Sequence, residues 1–172
     1  DDLKEDEGIQ YKINKFLKLK MFEPKIVLEG GSIEVNGTGT LLTTKQCLLN
    51  KNRNPALTKK QIEKYLRNYL NVSNILWLKE GIVGDDTDGH IDDIARFVDP
   101  NTILCTFEEN QSDDNYAALK KNFEILKKAN DQDGEAFDVK KMPTPEPVHS
   151  PVGRLPASYP CPVQVVHFGT EL

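Results

Sequence analysis

The segment GDDTDGHIDD, residues 84–93, sets Asp85, Asp86, Asp88, Asp92 and Asp93 around a single histidine, His90. Carboxylates around one imidazole can serve as a metal cage, as an acidic surface loop, or as one wall of a site for a cationic substrate. Register tests the calcium reading. With Gly89 at the sixth position of a calcium loop, the first falls on Gly84 and the twelfth on Ala95, where carboxylates are required. The register fails. Zinc needs three or four converging ligands, and this segment supplies one histidine among hard oxygens, so no metal is expected from it. A solvated turn is the ordinary reading of a charge run. The motif, however, follows the apolar stretch NILWL, residues 74–78, and leads into another apolar stretch, at an element end where binding groups are commonly mounted.

If the following strand begins near Gly89, alternation puts His90 and Asp92 on one face and Ile91 and Asp93 on the other. A histidine and a carboxylate side by side suit chemistry on a guanidinium. The carboxylate grips the planar fork through two parallel hydrogen bonds, and the histidine moves protons near neutral pH. Glu29, in LEGGS, is a candidate third acid, because an acid before two glycines can be held close to other backbone. From spacing alone it reads more readily as a lone glutamate at a turn.

The elements that must position these residues are legible in outline. IVL at 26–28 reads as a short strand, followed by a hairpin of SIEV and GTLLTT joined by Asn36-Gly37, a pair suited to positive φ. Thr58 opens a T-x-x-Q capping box, and Ile62, Tyr65, Leu66, Tyr69 and Leu70 recur at helical spacing, predicting a helix over about 58–70. NILWL reads as a buried strand. The same order then recurs. IARFV and TILCTF flank the turn DPN, Tyr116, Leu119, Phe123 and Leu126 mark one helical face, and AFDVKK reads as a closing strand. The fold class is therefore α/β, with two ββαβ units in tandem about sixty residues apart, an array type that normally needs at least three units. Further units are expected.

Residues 1–142 carry the repeats. From Pro143 to Leu172 seven of the ten prolines accumulate with no period of either kind, which predicts an extended segment, with one short strand conceivable at QVVHF, 164–168. With 38% hydrophobic residues, the 172-residue chain can pack a core, while a net charge of −5 without a basic stripe argues against nucleic acid. The acidic opening DDLKEDEGIQ resembles no targeting leader and no run is long enough to span a bilayer, so the expectation is a soluble, cytoplasmic protein with no membrane partner. Cys47, Cys105 and Cys161 are odd in number and widely spaced, against a disulfide framework. Asn36, Asn71 and Asn110 each begin an N-x-[ST] triplet, and chance accounts for them.

Four blocks in order, LEGGSIEVNGTGTLLTT, CLLNKNRNP, ILWLKEGIVGDDTDGHIDDIARFV and VGRLPASY, resemble the agmatine deiminase and bacterial-type peptidylarginine deiminase family. The resemblance implies a propeller of five ββαβ blades of the guanidine-modifying type, about two of them present here. It also implies a reaction. A cysteine thiolate attacks the guanidinium carbon, ammonia leaves, and water hydrolyses the thioether intermediate to a ureido product. By motif His90 falls on the proton-transfer histidine, Asp92 on a guanidinium-binding carboxylate, and Glu29 on the glutamate that pairs with that histidine or holds substrate. Asp88 is a further carboxylate for substrate. No cofactor is implied, the partner is a small guanidinium compound such as agmatine, and a homo-oligomer is compatible with the family.

The family's nucleophile lies in a G-G-G-N-[IT]-H-C block that this sequence lacks. Cys47 and Cys105 read as packed cysteines. Cys161 lies past the place where the match ends, near residue 160, and does not inherit the role. The chain is therefore expected to hold part of an agmatine-hydrolysing site without efficient turnover of its own. The alternative is a non-catalytic fragment that binds guanidinium compounds or associates through exposed blade edges.

Overall fold

The structure, a computed structural model, describes residues 8–151 and 153–155. It opens with a helix, α1 (Ile9–Leu17), which buries none of its residues and leaves Phe16 87% exposed. A 3-10 turn at Gly30–Ser32 then leads into β1 (Ile33–Val35), β2 (Thr40–Thr44), the short α2 (Lys45–Leu48), α3 (Lys59–Leu70) and β3 (Asn74–Leu78). β4 (Ala95–Phe97), β5 (Thr102–Phe107), α4 (Tyr116–Leu126) and β6 (Asp138–Pro143) repeat the order. In both units the first strand is antiparallel to the second and the second parallel to the third, so two ββαβ units stand as expected. No helix among the described residues is long and apolar enough to cross a membrane.

Local chemistry explains the boundaries. Asn36 is nearly buried, and its side-chain oxygen accepts from the amides of Thr38, Gly39 and Thr40 at 3.0, 3.1 and 2.9 Å, closing the hairpin with Gly37 at φ 78°. α3 starts on the predicted capping box, with Gln61 Oε1 accepting from the Thr58 amide at 2.8 Å, and stops at Asn71 in the left-handed region. Trp77 Nε1 donates to Glu63 Oε1 at 2.9 Å and ties β3 under this helix.

Two expectations are corrected here. IVL is not a strand. Val27 instead exchanges two hydrogen bonds with the Asn54 side chain, N–H to Oδ1 at 2.9 Å and Nδ2–H to carbonyl at 2.8 Å, and no backbone among the described residues offers it a ladder. The Pro-rich segment is also not wholly irregular. β6 runs to Pro143, and β7 (His149–Ser150) pairs with β8 (Gly153–Arg154), where Arg154 meets the buried Asp113 at 3.0 Å. QVVHF and Cys161 lie outside the described residues.

The core sits on both faces of β2. Leu41 packs with Cys47, Leu48, Ile62 and Leu66 under α3, whereas Leu42 clusters with Leu78 of β3 and with Ile94, Ile103, Leu119 and Leu126 of the second unit. Polar side chains stitch the seam. Glu34 on β1 accepts from the Phe97 amide at 3.0 Å and meets Arg96 Nε at 3.2 Å. Two buried asparagines of the second helix region fix the chain leaving β3. Asn122 accepts from Lys79 N at 2.9 Å and donates to the Glu80 carbonyl at 2.8 Å, and Asn115 accepts from Val83 N at 2.7 Å. Because Leu42 belongs to one unit and packs in the core of the other, Leu42→Ala should cost about 2–5 kcal/mol and still give one cooperative transition in urea. Two separated transitions would show that the units fold independently.

Candidate active site

Three segments converge on His90. The first is the turn after Glu29, where Ser32 donates from both its amide, at 3.1 Å, and its hydroxyl, at 2.6 Å, to the Glu29 carbonyl. The second is the loop after α2, which carries Arg53. The third is the acidic segment itself, whose start is fixed by Gln46 Oε1 accepting from Gly81 N at 2.7 Å. Asp85 organises the turn rather than facing a ligand: one oxygen accepts from the Thr87 amide at 2.7 Å and the other from Gly89 N at 2.6 Å. Asp88 and Gly89 follow in left-handed conformation, φ 62° and 85°, a reversal that aspartate tolerates and glycine favours.

The strand begins at Ala95, not near Gly89, which corrects the alternation argument. His90 and Asp92 nonetheless share a space, because a turn carries them there. The amides of Ile91 and Asp92 both donate to the Gly31 carbonyl, at 3.0 and 3.3 Å, while Ile91 itself is fully buried. A Cβ on Gly31 would lie 2.5 Å from His90 Nδ1 and 2.8 Å from Asp92 Oδ2, so this close approach requires glycine. His90 Nδ1 stands 3.9 Å from Asp92 Oδ1, and Nε2 stands 3.4 Å from Glu29 Oε1. The imidazole lies between two carboxylates.

Arg53 is the residue that sequence reasoning missed, although it sits inside the quoted block CLLNKNRNP. Its side chain is only 7% exposed and its guanidinium is fully engaged. Nε and Nη2 donate to the two oxygens of Glu29 at 2.5 and 2.9 Å, Nη1 donates to Asp88 Oδ2 at 2.9 Å, and Nη2 also donates to the Thr87 carbonyl at 2.7 Å. A buried arginine needs such partners, and that need was the available signal. Two of the expected substrate carboxylates, Glu29 and Asp88, thus hold an internal guanidinium.

The electrostatics follow from these contacts. Arg53 holds the Glu29 carboxyl below its ordinary range, against burial, which pushes the other way. Asp88 is lowered by hydrogen bonds from Asn52 first and Arg53 second. Burial raises Asp92, with His90 and Arg96 opposing, so this is the carboxylate that a bound cation would relieve most. Burial pushes the Cys47 thiol up to about 11 and the Cys105 thiol up to about 12, far from the thiolate a nucleophile needs. Cys47 is nevertheless close, its Sγ 4.0 Å from Glu29 Oε2.

Tandem ββαβ units carrying a histidine between carboxylates fit the guanidine-modifying class that the sequence resembles. The chain belongs to the Porphyromonas-type peptidyl-arginine deiminase family, whose profile matches residues 1–162. It is 48% identical over 124 residues to the agmatine deiminase of Stutzerimonas stutzeri, covering 72% of this chain and 34% of that one. A Legionella pneumophila relative is 46% identical over 145 residues, covering 84% and 42%. A serine-for-cysteine variant of C. jejuni agmatine deiminase, solved with substrate bound, superposes with a TM-score of 0.79 at 42% identity, covering 88% of this chain and 44% of that one. The chain spans about 42% of the length of its Legionella relative.

Gly31→Ala should cost about 1–3 kcal/mol in denaturant and displace the His90 ring signals in a nuclear magnetic resonance spectrum. A variant with native stability and unshifted His90 signals would contradict the close packing. Glu29 has a folded pKa below the ordinary glutamate value. Its pairing with Arg53 therefore adds stability in full above that value, lost as pH falls through the depressed folded value. Arg53→Gln should lower stability at neutral pH and shrink the difference from wild type as the pH falls below about 4.5. A difference independent of pH would place the effect in packing alone.

Proposed function

We propose that this chain carries the histidine-side half of the site of an agmatine deiminase within a five-bladed ββαβ propeller. In the whole protein agmatine and water would give N-carbamoylputrescine and ammonia. Asp92 grips the substrate guanidinium, and its burial makes an arriving cation worth more than it would be in water. His90 gives a proton to the leaving ammonia and then takes one from the attacking water. Glu29, held ionised by Arg53, orients the imidazole. The nucleophilic thiolate forms a bond to the guanidinium carbon and is expelled when water replaces it. The observation that carries the reading is His90 between Glu29 and Asp92, in a chain whose relatives are agmatine deiminases.

Asp88 takes a smaller part than its motif position suggests. It steadies Arg53, accepting from Nη1 at 2.9 Å. Agmatine is favoured over peptidylarginine by the names of the relatives. The non-catalytic reading draws on one observation, that both described cysteines are buried with raised thiols.

Titration of the chain with agmatine, followed by resonance spectroscopy, should give saturable shifts at His90 and around Asp92. Putrescine, which lacks the guanidinium, should give none, and Asp92→Asn should remove the response. Equal shifts from both amines, or none from either, would exclude a guanidinium subsite. The 172-residue chain should release no ammonia from agmatine. Release that disappears in Cys161→Ser would overturn the view that this cysteine is not the nucleophile.

A further inference from the structure

We propose that Cys47, His90 and Glu29 form a site for a thiophilic divalent cation of the zinc type. One thiolate, one imidazole and one carboxylate would bind the ion, with a fourth position open to water. The carboxylate and imidazole come from the segments already described, and the thiol comes from α2, an element with no assigned part in the reaction.

Ligand atoms of the three residues all lie within 4.8 Å of one another. Glu29 Oε1 is 3.4 Å from His90 Nε2, and Glu29 Oε2 is 4.0 Å from Cys47 Sγ. Zinc–sulfur and zinc–nitrogen bonds of about 2.3 and 2.0 Å set tetrahedral ligands about 3.5 Å apart, within reach of small side-chain rotations. His90 Nε2 is buried without a hydrogen-bond partner among the described residues, a state that native polar atoms seldom keep. It points to a missing ligand.

The surroundings support the same ion. Arg53 donates once to each oxygen of Glu29, and a carboxylate has about four acceptor sites, so lone pairs remain for a metal. On the far side of the ring, His90 Nδ1 lies 3.9 Å from Asp92 Oδ1, a carboxylate near enough to hydrogen-bond the ring after a small rotation. Glu29, at 39% exposed, forms the entrance, while Cys47 forms the fully buried floor. As the sulfur–metal bond forms, the Cys47 thiol releases its proton to solvent. A sulfur ligand selects against magnesium and calcium.

The test needs no catalysis, so its outcome is separate from that of the proposed reaction. The reduced 172-residue chain is titrated with Co2+ or Cd2+, following the ultraviolet sulfur-to-metal charge-transfer band. A saturable band is expected in wild type, Cys105→Ser and Cys161→Ser, and not in Cys47→Ser. His90→Gln, made in the Cys105→Ser and Cys161→Ser background, should weaken binding about tenfold or more. Circular dichroism checks that each variant is folded. If Cys47→Ser does not fold, the His90→Gln comparison decides alone. No band in wild type, a band that survives Cys47→Ser, or unchanged affinity in His90→Gln would overturn the site.

Discussion

The buried guanidinium of Arg53 is the interaction on which the site depends. It is removed from water and must be repaid by hydrogen bonds, and it obtains them from Glu29, Asp88 and the Thr87 carbonyl, three groups on two separate segments. This fork joins the turn after Glu29 to the acidic segment. It also keeps Glu29 charged at the place where His90 faces it. Without it, Glu29, Asp88 and Asp92 would crowd around one imidazole with little positive charge to separate them.

The scaffold below also buries polar side chains, most of them against partners, although Asn115 Nδ2 has none among the described residues. All five residues of β2 are buried, and its threonines are satisfied by carbonyls or side chains. Thr43 donates to Ser32 O at 2.8 Å, Thr44 to Gly89 O at 2.5 Å, and Thr40 to Gln132 at 2.9 Å. Asn36, Asn115 and Asn122 likewise spend buried amides on backbone from other segments. Such bonds specify position more than they add stability, because each replaces one made to water. Asn115 and Asn122 in this way tie residues 79–83, the stretch leading into the turn that carries His90, to the second unit.

Helix and strand periodicity was readable because it repeats every few residues. The capping box at Thr58, the apolar face of α4 and the ladder strands of both units emerged where their patterns put them. The misses have one cause. IVL has strand-forming residues but no ladder partner among the described residues, so it meets Asn54 instead. Alternation from Gly89 failed because two left-handed residues turn the chain there. Arg53 looked like one more charge in a polar loop, since nothing in NKNRNP announces that the loop folds inward.

By itself, the sequence determined the residue types available, the two ββαβ units and the family, because these depend on local periodicity and on ordered motifs. Tertiary structure decided which of those residues meet. It turned Glu29 and Asp88 from free substrate carboxylates into partners of Arg53, left Asp92 half-buried beside the ring, and brought Cys47, forty-three positions before His90 in the chain, beside the same imidazole. Contacts of that range depend on how separate elements pack, and no local pattern in the chain encodes them.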